Sequence, residues 1–388
     1  MSILAAYYFF LYLSMSVFVP YTSLYFSEKG FSTAAVGMIL SLWAFVSIIA
    51  QPVMGLINDR IGNPRKIIMI SVITAPVIGL GFHYTNEFSA VIALSVLFTW
   101  SHSSAGPLSD SIAVEIGNRA GFNFGSIRMW GALSYSLGTI STGFLYEKYG
   151  YANIFEYYLA VSVLVFALLF GFPKSKTFSH KITFLEQAIE VIGNKPFMAY
   201  LAICLLLVMS MVSSSTFLPI YFQEMDFDKR FLGSAFAVAA LIEVPMFWVA
   251  SKLSQAIGRF RLLSLSAVIY ALKCLILFFF HNVYLTLGVQ LLDGISFAFA
   301  AGTFVEVVET YSRKNTKATF QTIFVAVSSG MGGVIGIAAG GIIVEYWGTP
   351  FLYLVLFILC LAASALFFGL QHANVTKIQM TDRSNIYR

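Results

Sequence analysis

Apolar residues run along this chain in long blocks, separated by short clusters of charged and turn-forming residues. Divided at those clusters, the pattern predicts twelve apolar segments: 4–27, 34–57, 67–85, 89–114, 122–146, 151–171, 196–222, 230–253, 262–281, 284–308, 320–345 and 349–371. Each is close to the ~20 residues that carry an α-helix across ~30 Å of hydrocarbon. The longest polar interruption runs from Pro173 to Lys195, between the sixth and seventh segments. The expected fold is therefore all-α and polytopic, with twelve transmembrane helices in two six-helix halves. The boundaries are a first half at 1–172, a middle loop at 173–195, a second half at 196–371 and a tail at 372–388. The first apolar run continues from Ile3 to Phe26, long enough to span, so it is expected to remain as the first helix rather than act as a cleaved leader.

Composition narrows the class. Of 388 residues 59% are apolar and 11% charged, with a mean hydropathy of +0.82, which excludes an ordinary soluble domain and makes the lipid bilayer the principal partner. The net charge of +5 forms no basic arm or stripe, so nucleic acid is not an expected partner. The positive charges follow the loops instead. With the N-terminus inside, 17 of the 23 Lys and Arg fall in inner loops and tail, against four (Lys29, Lys148, Lys229, Arg230) in outer loops. That bias predicts a cell (inner) membrane protein with both termini cytoplasmic. Cys204, Cys274 and Cys360 all lie inside apolar segments, without disulfide or metal-ligand spacing. No metal and no cofactor are expected, and the absence of a phosphate-binding G-x-x-x-x-G-K-[ST] loop leaves an ion gradient as the energy source.

The loop after the second segment reads Gly55-Leu-Ile-Asn-Asp59-Arg60-Ile-Gly62-Asn-Pro-Arg65-Lys66. Gly55 would let a neighbouring helix approach, Asp59 would meet a helix N-terminus or an arginine, and Arg65 and Lys66 would anchor the inner surface. The stretch resembles the G-x-x-x-D-R-x-G-x-x-[RK]-[RK] signature of the major facilitator superfamily. That resemblance implies two six-helix halves around a central cavity that opens alternately to either side, and a monomer.

Asp110 near the inner part of segment four and Arg128 at the start of segment five flank one short loop at equal spacing, which places them at similar depth on antiparallel helices. A paired carboxylate and guanidinium offer acceptors and donors to a polar ligand, whereas either alone is costly in lipid. The run Phe124-Gly125-Ser-Ile-Arg128-Met129-Trp-Gly131 resembles the F-G-x-x-R-M-x-G pattern of the lactose permease branch of that superfamily. The resemblance implies that Asp110 and Arg128 hold substrate hydroxyls and that Tyr135, seven residues beyond Arg128, stacks on a ring. One face of the aromatic run in segment one, with Tyr8, is expected to line the cavity.

Glu243, Lys273 and Asp293 fall near the middle of segments eight, nine and ten. Two acids competing for one lysine can take up a proton. In the lactose permease branch the tenth segment carries a His and then a Glu; the corresponding positions here are Asp293 and Ser296, so the coupling role is expected of Glu243 and Asp293. Prolines 20, 52, 76, 107, 219 and 245 lie inside segments and are expected to bend them. His102, inside segment four, is expected to be merely hydrogen-bonded.

Together these readings predict a secondary active transporter and no enzyme, with a small-molecule substrate and protons as partners. The expected activity is proton-coupled uptake of a small polar ring-containing solute such as a sugar or nucleoside. Alternatives left open are an aromatic-acid (phenylpropionate-like) proton symporter, a proton-antiport exporter and a transport-dead nutrient receptor.

Overall fold

The computed structural model describes residues 2–120, 124–172, 191–312 and 316–386. Among the described residues every regular element is a helix and there is no strand, as required of segments whose backbone groups must bond within themselves in hydrocarbon. Nine helices among the described residues are long and apolar enough to cross a membrane. The last of these, Thr319–Gln371, holds two spans, because the chain turns at Gly348 (φ 79°, ψ 168°) ahead of Pro350. Two further helices match expected segments although they fall outside the nine. Ile154–Leu169 is apolar but short, and Phe124–Tyr149 is long but rich in Ser, Thr and Gly and so less apolar. The twelve spans are thus Ile3–Glu28, Thr33–Ile61, Pro64–Tyr84, Phe88–Gly117, Phe124–Tyr149, Ile154–Leu169, Lys195–Glu224, Arg230–Ile257, Arg259–Phe279, Val283–Tyr311 and the two parts of Thr319–Gln371.

Prolines act differently from place to place. Pro52, Pro76, Pro219 and Pro245 lie within continuous helices. The first span, by contrast, is interrupted at Val19–Tyr21, a 3-10 turn around Pro20. The fourth is interrupted at Ser103–Ser104, between Phe88–His102 and Ala105–Ala120. Pro107 brings no N–H to the Ser103 carbonyl four residues back and its ring crowds that oxygen, which accounts for the break. Span eleven carries a π-helical turn at Ala326–Met331.

The chain forms two compact units. The first comprises Met1–Ile182 with Ser215–Leu241 and Gly333–Thr349. In it span one packs against spans five and six, and span three against four and six. Leu4, Tyr7, Tyr8, Leu11, Ile68, Ile112, Val165 and Leu169 form its core. A second cluster is almost wholly aromatic, with Phe18 on Tyr158 (ring centroids 4.4 Å), Trp43 on Phe98 (4.7 Å) and Phe82 on Phe155 (5.2 Å). The second unit comprises Thr183–Ser214, Ile242–Gly332 and Pro350–Arg388. Spans nine and ten pack together there, and serine hydroxyls bond across helices, Ser266 with Ser296 (3.0 Å) and Ser264 with Ser364 (2.8 Å). Such bonds substitute for the hydrophobic drive that lipid does not supply between helices.

Candidate functional site

In the first unit Asp110 and Arg128 meet, with guanidinium Nη1 3.3 Å from carboxylate Oδ2 and 3.4 Å from Oδ1. The Tyr8 hydroxyl donates to Asp110 Oδ1 at 2.7 Å, and the Arg128 guanidinium lies over the Tyr12 ring, 4.7 Å from its centroid. One residue before Asp110, Ser109 is hydrogen-bonded to Tyr7 at 2.6 Å. Tyr7 and Tyr8 are fully buried, so span one holds the acid through hydroxyls that themselves meet no solvent. The ion pair is open: the side chains of Arg128 and Asp110 are 47% and 39% exposed.

A second charged cluster lies in the second unit. The Lys273 ammonium is 1% exposed and ion-paired with Asp293, which is 22% exposed. It also donates to Ser214 Oγ at 3.1 Å and Tyr270 Oη at 3.3 Å. The three acceptors satisfy the ammonium's three donors. Glu243 is half-buried on Arg230–Ile257, two residues before Pro245.

Tyr135 lies elsewhere. It lines a cavity of about 300 Å³ within the first unit, with Phe18, Trp43, Thr99, His102 and Phe236. His102 and Tyr135 are eight and seven residues along their helices from Asp110 and Arg128, roughly 10–12 Å at 1.5 Å per residue. The residues expected to orient and to stack a substrate thus stand at two levels. His102 Nδ1 is hydrogen-bonded to Tyr158 Oη at 3.2 Å, in line with the expectation for that residue.

The signature loop folds as a helix end. Gly62 closes span two in the left-handed conformation (φ 63°), its N–H bonded to Asn58 O at 2.7 Å, and Asn63 caps the next helix through Lys66 N. The Arg65 guanidinium donates to the carbonyls of Phe170 and Phe172, both at 3.0 Å. It thereby caps span six, a more specific role than a surface anchor. Arg60 and Lys66 are exposed, and the Asp59 side chain lies outside the described residues. Among the described residues, a Cβ at Gly55 would meet no atom within 4 Å, and neighbouring Leu56 and Ile61 are exposed.

The other end of the first unit is tightly closed. A Cβ at Gly233 would overlap the Thr139 carbonyl oxygen, and one at Gly37 would stand 2.9 Å from Gly341 Cα. Polar contacts ring these approaches. Lys229 pairs with Glu28 at 2.7 Å, Glu345 accepts from Thr33 Oγ1 at 2.7 Å, and Glu224 accepts from Thr349 N at 2.8 Å. Lys29 donates to the Phe82 carbonyl at 2.6 Å, and partial burial holds its ammonium below the ordinary lysine range.

Sequence reasoning missed several of these groups. Tyr270 was within reach of helical spacing, three residues from Lys273. Trp43, Thr99 and Ser214 had no comparable signal, because each is an ordinary residue of its own span.

The MFS_1 like family matches residues 1–355 of this chain. The chain is 26% identical over 355 residues to a maltose permease of Geobacillus stearothermophilus, covering 90% of this chain and 89% of that protein. It is 23% identical over 280 residues to a probable 3-phenylpropionic acid transporter of Escherichia coli (strain K12), covering 68% and 70%. In fold it is similar to a crystal structure of the nucleoside transporter NupG, with a TM-score of 0.83 at 15% identity over 95% of this chain and 98% of that one.

Proposed function

The chain belongs to the MFS_1 like family of major facilitator transporters, and from that premise we propose that it is a proton-coupled symporter that takes up a small, polar, ring-containing solute. The observation that carries this reading is the Lys273–Asp293 pair, whose lysine is buried among apolar spans and also donates to Ser214 and Tyr270. A buried ion pair is weak evidence of stability, since well-packed apolar side chains in its place are often as stable or more so. Inside a membrane such a pair marks an ion or proton path. Protonation of Asp293, with Glu243 as a second proton-binding acid, would release Lys273 and couple proton entry to solute movement.

Asp110, Arg128 and Tyr8 form the polar part of the solute site. A pair exposed by 39–47% within apolar spans is tolerated where that exposure faces water. The closed contacts around Gly233 and Gly37, set beside the distribution of Lys and Arg, support a conformer sealed at the outer face, with both termini in the cytoplasm and the protein in the inner membrane as a monomer. Alternating access then consists of breaking these contacts and covering the bare surface near Gly55. One proton crossing 100 mV provides ~2.3 kcal/mol, about 50-fold in accumulation.

The test is uptake of radiolabelled maltose, uridine and 3-phenylpropionate into proteoliposomes under an imposed proton gradient. Accumulation of one of the neutral solutes, abolished by a protonophore and by Asp293→Asn or Glu243→Gln with counterflow retained, is the expected result. Gradient-independent flux, or outward pumping, refutes it. The relation to a protein named as a 3-phenylpropionic acid transporter favours an aromatic acid as second reading, with Arg128 as the anion partner.

A further inference from the structure

Lys273 reaches away from its own helix in two directions. Toward span ten it pairs with Asp293, whose side chain is 22% exposed. Toward span seven it donates to Ser214 Oγ at 3.1 Å, and here Ser214, Tyr270 and Lys273 are all buried. The two helices meet through residues three apart, which share a helix face: Met211 and Ser214 on span seven, Tyr270 and Lys273 on span nine. Tyr270 Oη donates to the Met211 carbonyl at 3.4 Å and accepts from Lys273 Nζ at 3.3 Å. The ammonium also lies over the Tyr270 ring, 4.7 Å from its centroid, where the ring quadrupole attracts a cation.

The charged partner thus stands on the wetter side of the lysine and the neutral partners on the dry side. Facing the ammonium are Asp293 from span ten, Tyr270 and Cys274 from its own span, and Cys360 from span twelve. When Asp293 takes a proton its attraction is lost, and the ammonium must either cross to water or remain on its dry-side contacts. Crossing would draw the four-carbon stem out of packed surroundings and forfeit both hydrogen bonds, which are of the stronger, charge-assisted kind. Staying keeps both bonds and the ring face, in surroundings where such contacts are stronger than in water.

We propose that Ser214 and Tyr270 form a neutral dock that keeps Lys273 charged and in place against span seven while Asp293 is protonated. They are positioning residues: neither carries the proton, and both set how readily Asp293 accepts one. The dock holds the ammonium without neutralising it. Protonation therefore leaves an unbalanced positive charge at a fixed point between spans seven and nine, rather than a free side chain. The inference rests on the reading of Asp293 as a proton-binding acid and specifies where the released lysine goes.

The test is a carboxyl titration by infrared difference spectroscopy on the purified protein in lipid bilayers, without solute or gradient. The Asp293 signal is the protonated-carboxyl band that is lost in Asp293→Asn and kept in Glu243→Gln. Ser214→Ala and Tyr270→Phe each remove one hydroxyl and little volume. In the protonated state the dock supplies the contacts left to the ammonium, so losing a hydroxyl costs that state more than the ion-paired one. Proton binding by Asp293 is expected to weaken about 3- to 10-fold in each variant, moving the midpoint toward acid by about 0.5–1 pH unit. A lysine that left span seven on protonation would give the opposite sign, because the hydroxyls would then stabilise only the ion-paired state. A merely structural hydroxyl would lower the melting temperature and leave the midpoint where it was. An alkaline shift or an unchanged midpoint in both variants overturns the dock and leaves the symport reading intact. If no Asp293-dependent band titrates, the dock and the proton-binding role of Asp293 fall together.

Discussion

Asp293→Asn removes the one charged partner that the described residues give to the most deeply buried lysine of this chain. With Asp293 neutral, the Lys273 ammonium retains Ser214 Oγ at 3.1 Å and Tyr270 Oη at 3.3 Å, two neutral acceptors that cannot balance its charge. Breaking a buried pair from one side costs about 3–5 kcal/mol, a large part of the ~5–15 kcal/mol that holds a folded protein together. The reverse substitution, Lys273→Met, strands Asp293 instead, but that carboxylate is 22% exposed against 1% for the lysine. It keeps part of its hydration, and the expected cost is about 1–3 kcal/mol. The double variant leaves no charge unpaired and is expected to regain most of the loss. Thermal unfolding of the purified protein is the assay: a fall on the order of 10 °C for Asp293→Asn, a smaller one for Lys273→Met, and near recovery in the double variant. Equal losses, or Lys273→Met as the more damaging change, would refute the burial argument and with it the placing of this pair.

Gly233→Ala would drive a methyl group into the Thr139 carbonyl oxygen. At about 1–3 kcal/mol of overpacking, it should shift the population away from the closed end by about 5- to 150-fold. Faster maleimide labelling of Ser23→Cys from outside right-side-out vesicles would report it, and unchanged labelling would count against it. Glu28→Gln breaks a half-exposed pair with Lys229, so its effect in the same assay should stay within about 1 kcal/mol and vanish in ~1 M salt. Tyr8→Phe keeps the ring and removes the 2.7 Å bond to Asp110; a loss of about 1.5–3 kcal/mol should appear as a tenfold or greater rise in solute Kd. Arg65→Gln strips two carbonyl caps from the end of span six and should lower stability by about 1–2 kcal/mol. The exposed neighbour Lys66→Gln should stay within about 0.5 kcal/mol, and thermal melts of the pair distinguish capping from surface charge.

The sealed end and the aromatic cavity share a logic. Where backbones touch, at Gly37 with Gly341 and Gly233 with Thr139, helices pack without side chains between them, and a few polar contacts at the rim set the register. Such contacts are individually weak, which suits a closure that must open in each transport cycle. The aromatic cluster of Phe18, Trp43, Phe98 and His102 beneath it is rigid by comparison, because interlocked rings have little room to change rotamer.

The twelve-span pattern was legible in the chain alone, because crossing hydrocarbon is a local requirement that each segment must meet by itself. The pairing of Asp110 with Arg128 was legible for the same reason, since one short loop sets both heights. Tertiary structure alone decided which groups complete these pairs. Tyr8 is a buried donor to the acid. Gly233, unremarked in the sequence, meets a backbone carbonyl, whereas Gly55 meets no atom of the described residues. Proline did not announce its own effect: Pro52 and Pro107 look alike in the sequence, yet the helix runs through the first and breaks before the second. Trp43 and Thr99 came to one cavity from different spans. Hydrophobic length is a property of a segment, whereas a binding site is a property of the faces that several segments turn toward one another, and helices in lipid choose those faces by packing and hydrogen bonding rather than by hydrophobicity.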